Sequence, residues 1–330
     1  FARQLSMGVS ALVRAAFALE GLARGPVLST LIFHRVHPEA DELFPTAPDA
    51  ARFSQIMEFV ASAFQVMTLG DAVRALENDT LPRRALVITF DDGYADNVEI
   101  AMPIMKKVGV PGTFFVSTGF LDGGRMWNDT VIECVRRSRL PEIDLTFLEA
   151  GRVSIGTLCE RRMAVDVILP KLKYLGLAER NLAIERLRIL SEVDLLPPDL
   201  MMTTSQLRRL SDAGMEIGGH TVWHPILSSV PPEVAEREIR EGRSHLQEIV
   251  GKTIDVFAYP NGKPGRDFQA EHVAMVRRLG FRGAVTTAPG VGVAGDDVFQ
   301  IPRFTPWGDS LLAWSARLFA NLKMRDYAKV

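Results

Sequence analysis

Seven short stretches of this chain are dominated by apolar residues: 28–34, 85–90, 112–116, 215–219, 253–259, 281–287 and 298–303. Runs of this length with little alternation suit strands covered on both faces, as in a parallel sheet. Segments with helical spacing lie between them. The stretch 49–64 places Phe53, Ile56, Met57 and Val60 on one face. Shorter helical patterns occupy 69–76 and 96–108, where Pro103 either kinks the helix or marks its first turn. The stretch 203–214 carries a Thr cap and a closing Gly214, 231–250 is amphipathic, and 267–279 ends at Gly280. Strands alternating with helices predict an α/β fold with a mostly parallel sheet. The rhythm breaks between 123 and about 200, where helical patterns at 129–137 and 178–193 come with few strand signals. This part reads as a helical insertion, either a lid or recognition element beside the site or a solvated appendage. Residues 1–26 read as a helix, with Leu5, Val9, Leu12, Val13, Ala16, Phe17 and Leu22 near helical spacing. It is too short and too charged, through Arg3, Arg14 and Arg24, to span a bilayer. It either packs on the domain or makes a peripheral membrane or partner contact. One domain is expected over 27–310, with the insertion at about 124–200 and a C-terminal helix or tail at 311–330.

Composition narrows this picture. The 330 residues are 47% hydrophobic, enough for a sizeable core. A net charge of −2 gives no general attraction to nucleic acid or to an anionic surface, so no nucleic-acid partner is expected. The two cysteines, Cys134 and Cys159, form no C-x-x-C motif, which excludes a disulfide framework and a cysteine zinc site.

The chemistry concentrates in two places. The strand 85–90 ends in Asp91-Asp92-Gly93, which puts two acids where the chain leaves the sheet. Neighbouring strand residues point to opposite sides, so two useful carboxylates in a row need a bend, and Gly93 can supply it. A plain polar turn is the competing reading. Far downstream, His220 and His224 are four apart, which on one turn of helix puts both imidazoles on one face. Two histidines and a carboxylate make a three-ligand metal site with room for water. Such a set suits zinc, with cobalt, nickel and iron as alternatives.

Together these segments carry a resemblance. Thr89-Phe90-Asp91-Asp92-Gly93, then His220-Thr221-Val222-Trp223-His224, then Phe257-Ala258-Tyr259-Pro260-Asn261-Gly262 resemble, in order, the first three motifs of the polysaccharide deacetylases, the NodB-homology carbohydrate esterases. The resemblance covers roughly 31–307. It implies a distorted (β/α)7 barrel and a divalent metal, Zn2+ or else Co2+, Ni2+ or Fe2+, held by Asp92, His220 and His224. It implies Asp91 as the general base, and Asn261 as the position of the oxyanion donor, on a backbone N–H after Tyr259. Many members supply the catalytic acid from a histidine near the C-terminus. Here the last histidine, His272, sits in a helix-like stretch. Phe33-His34 instead matches a rearranged subgroup in which an N-terminal strand supplies the acid, with His37 as the fallback. Ala258 stands where the third motif carries an Arg that contacts the catalytic Asp, and Arg303 is the residue that could replace it in space. Tyr259, Pro260, Trp127, Arg303 and Trp307 are the expected substrate-facing residues, Trp127 as a stacking platform for a sugar.

The expected activity is removal of N-acetyl groups from the amino sugars of a bacterial polysaccharide, an exopolysaccharide or its precursor. Hydrolysis of an O-acetyl ester or non-sugar amide, and a silent sugar-binding role, are the alternatives. The expected partner is the N-acetylated polysaccharide or oligosaccharide, with a peripheral contact to a membrane-bound synthesis complex. The expected compartment is the cytoplasm, or the periplasm if an export signal has been trimmed.

Overall fold

The structure is a computed structural model that describes residues 25–305 and 310–330. The expected N-terminal helix, apart from its last two positions, and Trp307 lie outside the described residues. In chain order the elements are β1 (Leu28–Phe33), α1 (Ala50–Ala63), β2 (Gln65–Met67), α2 (Leu69–Glu77), β3 (Ala85–Phe90), α3 (Met102–Lys107) and β4 (Thr113–Val116). The middle of the chain forms α4 (Trp127–Arg137), β5 (Glu142–Asp144), β6 (Arg152–Ser154), α5 (Leu158–Lys173) and α6 (Leu177–Leu190). Then come α7 (Thr204–Asp212), β7 (Glu216–Gly219), α8 (Pro232–Val250), β8 (Val256–Ala258), α9 (Ala270–Arg278), β9 (Gly283–Val285) and α10 (Leu311–Asn321).

The main sheet is parallel in the order β1-β3-β4-β7-β8-β9. Strand β2 pairs with the first half of β3, below the point where β4 takes over. Every residue of β1 and β3 is buried, as expected of apolar runs covered on both faces. Parallel bridges Val285–Ile301 and Leu31–Phe304 return the chain from β9 to β1. The sheet therefore curls into a distorted α/β barrel, and the closing stretch 298–303 makes isolated bridges rather than a continuous strand. A column of rings fills the core beneath β1, β3 and β4: Phe33 and Phe53 each lie within 5.8 Å of Phe90, and Phe90 stacks on Phe114 at 4.7 Å.

Some boundaries differ from the sequence reading for local reasons. The segment 96–108 is a π turn, Asn97–Ala101, followed by α3 with a proline at its start, so Pro103 marks a first turn. Helix α9 begins at Ala270 rather than Asp267, because the buried Asp267 carboxylate accepts the Lys263 N–H within the preceding loop. The insertion contains an antiparallel hairpin, β5–β6, that the reading of this stretch as helical did not include. Three-residue strands carry too little periodicity to stand out. The insertion buries its own cluster, including Val131, Val135, Ile143, Ile168 and Leu187. It is thus a packed subdomain rather than a solvated appendage. Helix α10 buries Trp314 and Leu318 in the main core, with Trp314 edge-on to Phe59 at 5.9 Å. Among the described residues no helix is long and apolar enough to cross a membrane. Cys134 and Cys159 are free thiols.

Candidate metal centre

The functional side chains collect where β1, β3, β7 and β8 end, at the C-terminal rim of the barrel. At the end of β3 the Asp91 N–H donates to Phe33 O at 3.0 Å, so Asp91 still follows the strand. The chain then turns at Asp92, whose φ is 77°, and again at Gly93. The bend expected at the glycine therefore begins one residue earlier, in a left-handed conformation that Asp tolerates better than most residues. Gly93 is needed for a second reason. A Cβ there would stand 2.8 Å from a Val116 methyl. The two turns send the adjacent carboxylates to different partners.

Asp92 meets the histidines. Its Oδ1 lies 3.4 Å from Nε2 of His220 and 3.4 Å from Nε2 of His224. Donor atoms of the three residues all fall within 4.8 Å of one another, and all three side chains are buried. The histidines do not share a turn of helix. Residues 220–226 form an irregular loop after β7, and Thr221 and His224 adopt left-handed φ values of 66° and 52°. Those two turns, rather than helical spacing, bring the rings to a centroid separation of 4.7 Å. The loop is held from behind by Glu238 of α8, whose carboxylate accepts the N–H groups of Val222 and Trp223 at 3.0 and 2.8 Å. Helix and loop approach closely because residue 242 is glycine. A Cβ there would meet Thr221 backbone atoms at 2.8 Å. Glu238→Ala is expected to weaken zinc binding by about 10–100-fold, the usual cost of losing a group that orients metal ligands. A competitive chelator titration measures this, and unchanged affinity would show that the loop holds itself.

The donor set fits a divalent cation. His220 Nδ1 lies 2.8 Å from Ala258 O, so Nδ1–H donates to that carbonyl and leaves the Nε2 lone pair facing Asp92. Burial, with the charge of His220, pushes His224 down to about 3 against the pull of Asp92, which keeps its ring neutral. Burial opposes charge on Asp92, but the His220 hydrogen bond and the nearby imidazoles hold its carboxyl below the usual carboxylate range. Burial also opposes charge on His220, yet Asp92 and Asp91 raise it, so a proton and a cation compete for the same Nε2.

Asp91 turns instead to Arg303, which comes from the segment that closes the barrel. The guanidinium grips both carboxylate oxygens, at 2.6 and 2.8 Å, and also donates to Thr89 Oγ1 and Thr286 O. Burial would raise the Asp91 carboxyl, but Arg303, together with the His220 and His34 imidazoles, holds it below the ordinary value. Arg303 thus contacts Asp91 from the closing segment, while position 258 holds an alanine. It is 1% exposed and faces Asp91, not a substrate surface, which corrects its placement among the substrate-facing residues.

The remaining predicted residues are dispersed. His34 is exposed after β1 and lines a cavity of about 540 Å³ beside Asp92. His37 lines the same cavity but turns toward Asp41, at 3.9 Å. The Tyr259 ring is fully buried against Phe268, and its hydroxyl donates to Phe299 O, so this side chain offers nothing to a substrate. Pro260 is buried as well. Asn261 adopts a left-handed φ of 59° after β8, and its carbonyl accepts from Thr287. Among the described residues no hydrogen bond joins it to Asp92, His220 or His224. Trp127 packs into the insertion core with the Arg180 guanidinium over its ring at 4.9 Å, away from the cavity. The Arg180 guanidinium thus occupies one face of the ring expected to stack on a sugar. Three residues near the site carry no sequence signal of their own. Glu238 sits on a charge-laced helix, Trp223 is half-exposed on the ligand loop, and Asp129 comes from the insertion. Burial pushes the Asp129 carboxyl up to about 7, Arg35 pulls it down, and the charge of Asp92 adds to the rise.

The family model described as polysaccharide deacetylase matches residues 78–156 and 177–284, more than half of the chain. The chain therefore belongs to the polysaccharide deacetylase family of enzymes. The unmatched residues between the two blocks fall within the insertion, and β1 and Arg303 lie outside both. YxkH of Bacillus subtilis (strain 168), whose given name places it among the polysaccharide deacetylases, is 19% identical over 243 residues. That match covers 73% of this chain and 59% of YxkH, so the chain spans less than two thirds of the length of this relative. Among solved structures, the deacetylase PplD of Streptococcus pyogenes in complex with acetate superposes with a TM-score of 0.59 at 19% identity, covering 89% of this chain and 98% of that one. IcaB from Ammonifex degensii gives 0.56 at 21% identity, covering 88% and 97%. At these identities the likeness establishes the shared fold.

Proposed function

We propose that this protein is a metal-dependent N-deacetylase that removes acetyl groups from amino sugars of a bacterial polysaccharide, an exopolysaccharide or its precursor. The observation that carries this reading is the buried Asp92–His220–His224 donor set beside an Asp91 kept ionised by Arg303. An amide resists hydrolysis because water is a poor nucleophile and an amine a poor leaving group. A divalent cation on Asp92, His220 and His224 would supply Lewis acidity and lower the pKa of a water molecule there. Two imidazoles and a carboxylate suit zinc.

The chain's own residues divide the proton work. Asp91 is an acceptor with both oxygens oriented by Arg303, and each retains a second lone pair for the proton of the attacking water. His34, exposed at the cavity beside Asp92, returns a proton to the departing amine. The polymer class follows from the resemblance to members whose acid lies on the first strand. The acetate held by PplD in its complex is the product that such a reaction releases.

Acetate release from short N-acetylglucosamine oligomers tests the reading. Chelated enzyme should lose activity by roughly 100-fold or more, and zinc should restore it. No acetate from zinc-loaded enzyme would overturn it.

A further inference from the structure

The cavity beside Asp92 has a second wall that the chemistry above does not use. It is made by the insertion, where Asn128 and Asp129 open helix α4 and line the same cavity as His34 and Tyr94. Asp129 is 4% exposed, and its Oδ1 accepts the Tyr94 hydroxyl at 3.2 Å. Its Oδ2 has no partner in the protein, and neither does Oδ1 of Asn128. Two neighbouring residues thus each keep one buried acceptor unmatched. Buried acceptors of this kind are rare because leaving them unpaired is costly. Other acidic side chains around the cavity are engaged: Asp41 and Glu133 by Arg136, and Asp92 by the histidines. The unmatched pair therefore calls for a ligand rich in donors. A sugar ring meets that need, because its hydroxyls donate in several directions at once. The closeness of the pair to Asp92 is reflected in that carboxylate's effect on Asp129.

We propose that Asn128 and Asp129 form a hydroxyl-recognition subsite that positions the sugar ring whose acetamido group lies at the metal centre. The inference rests on the deacetylase reading and adds a specificity determinant to it. It assigns the insertion a function: it supplies the acceptors that separate an acetylated sugar from an acetyl group on any other carrier. Asn128→Ala and Asp129→Asn are the variants of choice. The second keeps an oxygen for the Tyr94 hydroxyl and exchanges only the unmatched acceptor for a donor.

Two substrates separate recognition from chemistry. N-acetylglucosamine oligomers carry hydroxyls, and p-nitrophenyl acetate carries an acetyl group without them. In zinc-loaded protein, the ratio of kcat/KM on the oligomers to kcat/KM on the ester should fall about 10- to 100-fold in each variant. The thermal midpoint of Asp129→Asn should hold, since that variant keeps the Tyr94 hydrogen bond, whereas Asn128→Ala also gives up the side-chain contact of Asn128 with Tyr94 and is read only through the substrate ratio. A ratio that stays within about twofold of the parent, or a proportional fall on both substrates, overturns the subsite. A parent enzyme that releases acetate from the ester but not from the oligomers overturns the sugar reading and the subsite with it.

Discussion

Replacing Arg303 with methionine should destabilise the protein by about 3–5 kcal/mol, the usual result of stripping one partner from a buried ion pair. Arg303 is the only cation on Asp91 among its described hydrogen-bond partners, and both groups are almost fully buried. In the parent, the depressed Asp91 carboxyl contributes stability that is fully present above the ordinary carboxylate pKa and is lost only as pH falls through the lower folded value. In the variant the sign reverses. Burial, the largest influence on Asp91, then raises the carboxyl against only the weaker pull of His220 and His34, so the deficit is complete at alkaline pH and shrinks as acid protonates Asp91. Denaturant unfolding of both proteins at pH 8 and pH 5 should show a gap that narrows at pH 5. A gap independent of pH would mean that Arg303 stabilises through packing alone.

Asp91→Asn should cut turnover by roughly 10²–10⁴-fold, the range for losing a positioned proton acceptor. The amide fills the same volume and can still bond one arm of Arg303, but it cannot take a proton. Asp92, His220 and His224 keep their geometry, because Asp91 makes no hydrogen bond to them. The variant should therefore bind zinc with near-parent stoichiometry while releasing almost no acetate. Metal analysis beside the acetate assay reads both. Retained activity would remove Asp91 from the base role, and lost zinc would make it part of the ligand shell.

The parts of this site that are legible in the sequence are those in which residue type and neighbours suffice. Two acids before a glycine at the end of an apolar run, and two histidines four apart, identify Asp91, Asp92, His220 and His224 without coordinates. Their geometry is not legible in the same way. Helical spacing suggests a shared turn for the histidines, but left-handed turns at Thr221 and His224 set their rings, and backbone kinks in polar loops leave no periodic trace. Arg303 could be suggested only because a familiar position was empty at Ala258. Glu238 could not be found, since a buried acid on an amphipathic helix looks like its solvated neighbours until the ligand loop is folded over it. The βα rhythm gave the parallel sheet, whereas β2, β5 and β6 are too short to announce themselves. Aromatic residues misled in the opposite way. Tyr259 fills a core and Trp127 packs against one, and a large ring in sequence carries no label for which side of it is wet.

The pairing of Asp91 with Arg303 also bears on how the chain is made. The two residues are 212 positions apart, and the stretch bearing Arg303 docks between β9 and β1. During synthesis the acid-bearing strand emerges long before its countercharge, at a time when β1 and β3 can already pair. The nascent barrel must leave that rim open to water, or leave the acid protonated, until the last turn of the fold arrives. The Asp91–Arg303 contact is thus a long-range one, of the kind whose formation must overcome loop-closure entropy. A fragment ending anywhere between His224 and Arg303 would contain Asp92, His220 and His224 and still lack the cation that holds Asp91 ionised.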